Sequence, residues 1–500
     1  MDLISKRHIT RNVLATIGQV LVSGLVLFIL YRYLLNQLGV KQIGVWSIVL
    51  AAVSVSRIGD FGLSAGVVKF VAQALARGER ERAGEVVETI VLTLGGLMAI
   101  VLIAAFPLFQ RVIEYLLPGE GLATALLILP YALLSLWATV IAGGILGGLD
   151  GCQRIDLRSG LMAASQIIYL GLTILWVPTH GLEGVARAQL TQSLCLVIAS
   201  WWVLRRTIAP VPWVPVRWRG AVLRDMLGYG VNFQIISIVA MLFDPVTKGL
   251  MSKFGGLAPL GYYEMASKLV LQMRAVIVES NRTVVPLVAR LTEGSNYLEL
   301  RRTYEMSFRL LLVVSATSYA IIVLCGPMIS LFWIGRIEET FVAFLIFISV
   351  GWFLNTLAGP AYFHNLGTGY LKWNVISHVL IGVLNLSLGI PAGMLWGSSG
   401  VVIAFVISLA IGSMVIIFSE QVSREVVIAN LRSGGGEFLF KELVLTIGGL
   451  ALFFLSADIF GAGKEGAVLV AVSSSIAVVV ARAHWERHVK GPVESLWTSP

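Results

Sequence analysis

The side chains of this chain that could do chemistry are charged groups set inside long apolar stretches. Eight of them are cations: Arg32, Arg57, Arg187, Lys248, Lys268, Arg274, Arg282 and Arg309. The clear acids in the same stretches are Asp60, Asp244, Glu264 and Glu279. A charge at the centre of a bilayer costs at least about 2.5–3.5 kcal/mol, so each needs a partner or water. Because the cations outnumber the acids, the set predicts an interior that attracts an anion.

The spacing of these charges places them on one face of each of three predicted helices, at about 100° per residue. The polar stripes comprise Ser54, Arg57, Asp60 and Ser64; Gln234, Ser237, Asp244 and Lys248; and Glu264, Lys268, Gln272, Glu279, Arg282 and Thr283, flanked by Arg274. Lipid cannot solvate such stripes, which favours a shared water-filled cavity. A guanidinium group binds two phosphate oxygens at once, so the arginines predict a phosphate-bearing ligand.

The predicted ligand cavity therefore contains residues from all three stripes: Arg57, Asp60, Ser64, Lys248, Lys268, Gln272, Arg274 and Arg282. The four acids Asp60, Asp244, Glu264 and Glu279 could carry H⁺ or Na⁺ for energy coupling. Arg32 lies off the polar stripe of its own helix, and it could instead reach toward the membrane surface.

An alternative is that these charges serve structure alone. Four acid–base pairs have the i,i+4 spacing of a helical ion pair: Asp244 with Lys248, Glu264 with Lys268, Glu183 with Arg187, and Glu305 with Arg309. Such pairing leaves Arg274 and Arg282 with too few acids nearby, which favours the cavity.

The composition places the chain in a membrane. Its 500 residues are 57% hydrophobic and 13% charged, whereas soluble domains are roughly 25% charged. These values exclude a soluble globule, a disordered chain and a disulfide-stapled secreted domain. The chain has no Walker loop, zincin helix or Gly-x-Ser-x-Gly elbow, and its six histidines lack metal-ligand spacing. We therefore expect no enzymatic activity, no metal or other cofactor, and no nucleic-acid partner.

Apolar stretches of about 20 residues predict an all-α polytopic membrane protein with about fourteen transmembrane helices. They lie near 12–35, 43–68, 86–109, 122–148, 159–177, 182–204, 226–252, 259–288, 304–332, 341–365, 373–396, 398–419, 439–457 and 465–482. With a cytoplasmic N-terminus, 24 lysines and arginines fall in inner segments and 5 in outer loops. This bias follows the positive-inside rule and predicts that both termini are cytoplasmic.

Two internal similarities share one offset and predict a duplication. Residues 38–46 align with 255–263 at an offset of 217, and 181–185 align with 397–401 at 216. Because six spans is an even number, the two copies form a parallel repeat about an axis along the membrane normal. The predicted domains are an N-lobe at 1–206, a connector at 207–225, a C-lobe at 226–420, and a linker with two extra spans and a basic tail at 421–500.

The connector between the lobes contains three prolines, which exclude a regular helix. Its Trp213, Arg217, Trp218 and Arg219 suit a segment that lies on the inner lipid headgroups. The pattern fits a hinge-like tether and equally an ordinary positive-inside loop. A mixed-charge stretch at 76–88 predicts a short surface helix.

Several short segments carry a family resemblance. In the first part of the chain they are Leu38-Gly39, Gly44-Val45-Trp46-Ser47, Asp60-Phe61-Gly62-Leu63-Ser64 and Val68-Lys69-Phe70-Val71-Ala72. Later they are Pro327, Leu331-Phe332-Trp333-Ile334-Gly335 and Asn365-Leu366-Gly367-Thr368-Gly369-Tyr370-Leu371-Lys372. These segments resemble the polysaccharide biosynthesis (O-antigen type) flippases of the multidrug/oligosaccharidyl-lipid/polysaccharide (MOP) exporter superfamily.

The resemblance covers about residues 10–420 and implies two six-helix lobes in a V shape around a cationic cavity. The implied cargo is an undecaprenyl-pyrophosphate-linked oligosaccharide, flipped across the cytoplasmic (inner) membrane by alternating access for cell-surface polysaccharide synthesis. Arg57, Asp60 and Lys69 match the charged second helix of the family. The implied partners are membrane lipids, a polysaccharide polymerase and glycosyltransferases.

Two other functions remain open from the sequence. A cation-coupled exporter of drugs or small metabolites has the same architecture, but it would need a cavity rich in carboxylates. A non-transporting scaffold for glycan-synthesis enzymes would instead pack its polar stripes dry against one another.

Overall fold

The computed structural model describes residues 6–55, 63–117, 119, 121–208, 211–281, 297–368, 370–419, 421–432 and most of 436–448. Within these ranges the chain is helical and contains no strand. The helices are α1 (Lys6–Leu38), α2 (Val40–Ser54), α3 (Leu63–Ala76), α4 (Arg80–Leu116), α5 (Leu122–Gly151), α6 (Ile155–Thr207), α7 (Gly220–Gly255), α8 (Leu257–Asn281), α9 (Tyr297–Leu324), α10 (Gly326–Ile334), α11 (Glu339–Leu357), α12 (Gly359–Thr368), α13 (Lys372–Ser419) and α14 (Gln421–Asn430).

The chain packs as two compact units, Met1–Gly261 and Tyr262–Pro500. The first unit contains α1 to α7 with the first turn of α8, and the second contains the remainder of α8 with α9 to α14. The lobe boundaries drawn from the sequence at 206, 226 and 420 stay a prediction.

Seven helical segments of the described ranges are long and apolar enough to cross a membrane. They are Leu14–Leu38, Arg80–Leu116, Leu122–Gly151, Ile155–Thr207, Leu298–Leu324, Glu339–Thr368 and Lys372–Ser419. α6 and α13 have 53 and 48 residues, about twice the length that a bilayer needs. The prediction of an all-helical, multi-pass membrane protein is confirmed. The count of fourteen spans stays a prediction, because these seven segments cover nine of the predicted spans and the other five are not among them.

α6 and α13 each bend at a single glycine. Gly181 has φ 57° and ψ −134°, and Gly397 has φ 59° and ψ −138°. Only glycine adopts this backbone region without strain, since it has no Cβ. Each long helix therefore consists of two apolar arms, which meet at an equivalent residue of the predicted repeat.

The turn that follows each bend is packed in the same way. A Cβ on Gly184 would lie 2.7 Å from the carbonyl oxygen of Trp176, eight residues earlier. A Cβ on Gly400 would clash with the carbonyl oxygen of Ala392, also eight residues earlier. Backbone packing this close needs glycine at both positions.

The first turns of α2 and α8 cross at two further glycines. A Cβ on Gly44 would clash with the carbonyl oxygen of Leu257, and a Cβ on Gly261 would clash with that of Val40. Val40 and Gly44 each lie 217 residues before Leu257 and Gly261, so the contact is reciprocal. All four residues belong to the first unit.

α5 lies at the centre of the first unit and packs against α6, α4 and α3. A Cβ on Gly148 would lie 2.9 Å from Val87 and 3.1 Å from Leu204. Small residues of this kind let helices approach closely in a membrane. The Gly144-x-x-x-Gly148 motif therefore serves helix packing.

The prediction of a short surface helix at 76–88 is wrong. Ala76 ends α3, and α4 begins at Arg80 and continues for 37 residues to Leu116. The first turns of this long helix carry Glu85 and Glu88, which are 7% and 0% exposed. The acidic residues that suggested a solvent-exposed helix are instead covered by the connector. The connector is distant in sequence, so the local pattern at 76–88 could not predict its position.

In the second unit, α9 packs against α14. Tyr304, Phe308 and Leu312 pack with Val426 and Val427 in one buried cluster. Polar contacts join the same two helices: Tyr304 Oη to Ser423 Oγ at 2.7 Å, Arg301 to Glu425 at 3.6 Å, and Arg309 to Asn430. Glu305 pairs with Arg301 at 3.4 Å, so the alternative of a Glu305–Arg309 pair is wrong.

Candidate functional site

Several predicted cavity residues lie outside what the structure describes. Arg57, Asp60 and Arg282 fall in residues 56–62 and 282–296. Ser64 belongs to α3 and Glu279 to α8, but their side chains are not among those described. The predicted roles of these five residues, ion coupling for Glu279 and ligand binding for the others, stay predictions.

On α7, Lys248 lies next to Asp244. The Lys248 Nζ is 2.7 Å from Asp244 Oδ2, and the lysine side chain is 5% exposed while the aspartate is 46% exposed. A buried ammonium group needs such a partner, because an unpaired charge away from water is costly. This contact is the i,i+4 pair that the structural alternative predicts.

On α8, Lys268 lies next to Glu264 in the same i,i+4 relation. Their Nζ and Oε1 atoms are 3.5 Å apart, with the carboxylate buried and the lysine partly exposed. Gln272 follows one turn later and is partly buried. The glutamate neutralises much of the lysine charge, so this pair contributes less to anion binding than its residue types suggest.

Arg274, two residues beyond that stripe, has a different environment. Its guanidinium carbon lies 4.5 Å from the centroid of the Trp352 ring, which is within the range of a cation–π interaction. Its Nη2 donates a hydrogen bond to Asn355 Oδ1 at 3.2 Å. Among the described residues no carboxylate pairs with Arg274, so its positive charge is not neutralised there.

Asn355 is itself fixed by α13. Its Nδ2 donates to Ser413 Oγ at 3.1 Å, and that hydroxyl donates to the carbonyl oxygen of Leu409 at 2.6 Å. The amide is thereby oriented with its oxygen toward Arg274. α13 also contacts Trp352. The Phe405 ring on α13 is edge-on to the Trp352 ring, with the two ring centroids 6.2 Å apart.

Two tyrosines and a histidine complete the surroundings of Arg274. The hydroxyls of Tyr319 and Tyr362 lie close enough to interact electrostatically with the guanidinium group. Tyr319 Oη is 3.3 Å from Thr356 Oγ1. The ring of His378 lies 5.8 Å from that of Tyr362, and its Nδ1 donates to the carbonyl oxygen of Asn374 at 2.7 Å.

Two N–H donors in this cluster have no hydrogen-bond partner among the described residues: Arg274 Nε and Trp352 Nε1. Unsatisfied buried donors are costly and are often found where a ligand binds. The Arg274 cluster, defined as Arg274, Tyr319, Trp352, Asn355, Tyr362 and His378, therefore combines an uncompensated cation, an aromatic face and open donors. This chemistry suits a phosphate group next to a sugar.

The sequence pointed to Arg274 but missed Asn355, Tyr319 and His378. All three lie in helices that the apolar pattern identifies as membrane-crossing. An amide or imidazole inside such a helix is itself a signal of function. Charge counting overlooked Asn355 because it is neutral, and the search for metal-ligand spacing passed over His378.

The remaining predicted residues lie elsewhere. Arg32 is exposed on α1, and Lys69 on α3 has its Nζ 5.8 Å from the ring of Phe70. Glu183 and Arg187 form the predicted pair, at 2.5 Å. None of these is part of the Arg274 cluster.

Sequence comparison with known proteins identifies the family of this chain. The sequence of residues 9–292, more than half of the chain, matches the family described as polysaccharide biosynthesis protein. No curated protein sequence matches the chain.

Solved structures of MOP-superfamily transporters have a similar fold. The lipid II flippase MurJ, in an inward closed conformation, superposes with a TM-score of 0.69 at 14% identity over 96% of this chain and 99% of MurJ. An inward-facing multidrug resistance MATE transporter gives 0.67 at 15% identity over 81% and 94%.

A third transporter of this superfamily, from Pyrococcus furiosus, is described by a binding pocket of reverse polarity that suggests a different function. It gives a TM-score of 0.60 at 16% identity, over 85% of this chain and 96% of its own. Identities this low show the fold alone, whereas the sequence match over 9–292 shows the family. The chain therefore belongs to the polysaccharide biosynthesis protein family, and it has the fold of the MOP-superfamily transporters MATE and MurJ.

Proposed function

We propose that this protein is a flippase for a polyprenyl-pyrophosphate-linked oligosaccharide, with undecaprenyl as the lipid. It moves this cargo from the inner to the outer leaflet of the cytoplasmic membrane, by alternating access, for cell-surface polysaccharide synthesis. The observation that carries the proposal is the Arg274 cluster, where a guanidinium group that pairs with no carboxylate of the described residues lies against an indole ring.

The cluster offers the two kinds of contact that such a cargo needs. A pyrophosphate accepts charge-assisted hydrogen bonds from an arginine, including the Nε that has no partner among the described residues. Trp352 and Tyr362 offer flat faces next to it for sugar rings. Family membership supports a role in polysaccharide synthesis, and the similarity to MurJ, a lipid II flippase, supports a lipid-linked cargo.

The polarity of the described site favours this cargo over an organic cation. A multidrug exporter of the MATE type requires carboxylates that face its substrate, whereas Asp244 and Glu264 are each paired with a lysine. The Pyrococcus furiosus transporter shows that pocket polarity differs between members of this superfamily. We infer that this chain binds an anionic cargo and not an organic cation.

The wider organisation belongs to the same proposal. The equal bends at Gly181 and Gly397 and the reciprocal contact of Gly44 and Gly261 support a parallel duplication of six spans. In this arrangement the lobes at 1–206 and 226–420 form a V-shaped cavity, the two extra spans follow at 421–500, and both termini are cytoplasmic. Coupling to H⁺ or Na⁺ would involve Asp60, Asp244, Glu264 or Glu279.

The test is a reconstituted flipping assay with a fluorescent polyprenyl-pyrophosphate oligosaccharide. Arg274→Ala should raise the cargo concentration at half-saturation by roughly tenfold or more, because a hydrogen bond to a charged group contributes about 1.5–3 kcal/mol. Arg274→Lys should recover part of the loss, since it keeps the charge but not the bidentate geometry. Arg336→Gln, an exposed arginine paired with Glu338, is the matched control and should leave flipping unchanged.

Efflux of an organic cation is measured on the same vesicles. If Arg274→Ala lowers cation efflux and leaves glycolipid flipping intact, the protein is a drug exporter and the proposal is wrong. Unchanged flipping in Arg274→Ala would also contradict the proposed site.

A further inference from the structure

Within the connector, residues 216–219 are bound to α4. Glu88 is fully buried and accepts hydrogen bonds from the main-chain N–H groups of Val216 and Arg217, both at 3.1 Å. It also accepts one from Arg217 Nε at 2.9 Å. A buried carboxylate needs several hydrogen-bond donors, because burying its charge without such partners is costly. Glu88 therefore sets the path of the connector.

Neighbouring residues of α4 bind the next part of the connector. Arg219 Nη2 donates to Glu85 at 2.6 Å, and the Arg219 main-chain N–H donates to Thr89 Oγ1 at 3.2 Å. The Glu88 hydrogen bond raises the pKa of Arg217, which also contacts Glu81. The charges of Arg217 and Arg219 are thus neutralised within the protein, contrary to the expectation that they face lipid headgroups.

The opposite side of the connector is apolar and exposed. Trp213, Val214 and Val216 are 73%, 64% and 70% exposed, and Trp218 is 56% exposed. We call these four residues the connector ridge. Because Glu88 fixes the backbone at 216–217, the side chains of Trp213, Val214 and Val216 remain exposed. The Trp218 Nε1 donates a hydrogen bond to Thr93 Oγ1 on α4 at 3.0 Å, so this ring is exposed only in part.

Two arginines lie in the last turn of α6, and one of them, Arg205, contacts the ridge. The guanidinium group of Arg205 lies 3.6 Å from the centroid of the Trp213 ring, and that of Arg206 lies 3.9 Å from the centroid of Trp202. Arg205 Nε also donates to the carbonyl oxygen of Val211. No acidic side chain of the described residues pairs with either arginine. Their charges, unlike those of Arg217 and Arg219, are available to a partner.

The ridge lies where a membrane-crossing helix ends. α6 has the length and composition of a span, and Arg205 and Arg206 are in its last turn. Exposed tryptophans that adjoin uncompensated arginines match the chemistry of a lipid headgroup layer, with acyl chains on one side and phosphates on the other. We propose that the connector ridge, with Arg205 and Arg206, binds anionic phospholipid headgroups, and that Glu88 builds this surface by fixing the connector on α4.

The test uses the full chain in vesicles, with Cys152, Cys195 and Cys325 replaced by alanine and a fluorophore on Val214→Cys. Quenching by acrylamide is compared in phosphatidylcholine and in phosphatidylcholine mixed with anionic phosphatidylglycerol. Both leaflets have the same composition, so the result does not depend on the orientation of the protein. We expect less quenching in the anionic vesicles, and salt should reduce this difference by screening.

The variants separate lipid binding from folding. Arg205→Gln and Arg206→Gln should each weaken the bound state by roughly fivefold, the effect of one basic residue near an anionic surface. Arg111→Gln, an exposed arginine near the other end of α4, is the control and should keep the lipid effect. Glu88→Gln should abolish it by releasing the connector. If Glu88→Gln does not fold, Thr89→Val should weaken it, because this change removes the hydrogen bond from the Arg219 main-chain N–H together with the one that Thr89 makes to Glu85 within α4.

Equal quenching in both lipids would overturn the proposal, as would a lipid effect that survives in the double variant of Arg205 and Arg206. Shielding of Val214→Cys that occurs in native membranes but not in vesicles of either lipid would indicate a protein partner. That result would also overturn it.

Discussion

Arg274 differs from Lys248 and Lys268 in what surrounds its charge. Each lysine has a carboxylate one helical turn away on its own helix, so its charge is largely satisfied locally. Arg274 is held by an indole ring and an amide from α11, neither of which carries charge. A cation held by neutral groups keeps its attraction for an anion, whereas a paired cation must first give up its partner.

Asn355 should therefore act as a positioning residue for Arg274. Asn355→Leu keeps the side-chain volume but removes the oxygen that accepts the Arg274 hydrogen bond. The concentration of pyrophosphate cargo at half-saturation should therefore rise by roughly tenfold, as expected for a hydrogen bond to a charged group. The maximal flipping rate should change less. The measurement is a saturation curve in the reconstituted flipping assay.

Ser413→Ala is the companion change, because its hydroxyl orients Asn355. We expect a smaller effect of about threefold to tenfold, typical of a neutral hydrogen bond. Ser408→Ala is the control, since this buried serine on the same helix has its one hydrogen bond to a described residue within its own helix, at Ala404. If Ser408→Ala and Ser413→Ala behave alike, the relay through Asn355 does not position Arg274.

At the scale of the helices, equivalent glycines set where elements bend and where they cross. The bends in α6 and α13 divide each helix into arms of membrane length, and the same backbone angles occur at both. The crossing of α2 with the start of α8 depends on Gly44 and Gly261, whose missing Cβ atoms allow main-chain contact. These positions tolerate no side chain because backbone atoms, unlike flexible side chains, cannot move aside.

Gly44→Ala and Gly261→Ala should each destabilise the protein by about 1–3 kcal/mol, the usual cost of overpacking. Gly96→Ala on α4 is the matched control, because a Cβ there meets nothing within 4 Å. It should stabilise slightly, by about 0.5–1 kcal/mol, since alanine favours helix over glycine. Thermal unfolding in detergent measures all three, and equal melting temperatures for Gly44→Ala and Gly96→Ala would contradict the close crossing.

At the scale of the whole molecule, the charge distribution predicts a membrane topology. The positive-inside bias predicts that both termini are cytoplasmic, with Arg80 on the inner side and Arg336 on the outer side. Both residues are exposed, so their positions can be probed directly.

Arg336→Cys should react with a membrane-impermeant maleimide in intact cells, and Arg80→Cys should react only after permeabilisation. Both variants carry alanine in place of Cys195, the exposed native cysteine. Gel-shift labelling with a polyethylene glycol maleimide is the measurement. Labelling of Arg80→Cys in intact cells would place the N-terminal end of α4 outside and reverse the proposed orientation.

Much of the architecture could be predicted from local pattern. Apolar length predicted the seven described segments that are long and apolar enough to cross a membrane. The shared offset paired Gly181 with Gly397, whose backbone angles are nearly the same. The same reasoning was wrong for residues 76–88 and for the pair Glu305–Arg309. In both places a segment distant in sequence supplies the partner: the connector for Glu88, and α14 for Arg309.

The order of residues was sufficient to establish a helical membrane protein, its family resemblance and its excess of cations within apolar stretches, because hydrophobicity and charge are properties of each residue. Which cations remain available was decided by tertiary structure, because a side chain's neighbours on other helices depend on how the chain packs. The fold neutralises Lys248, Lys268, Arg217 and Arg219, and it leaves Arg274 against Trp352 with its charge uncompensated.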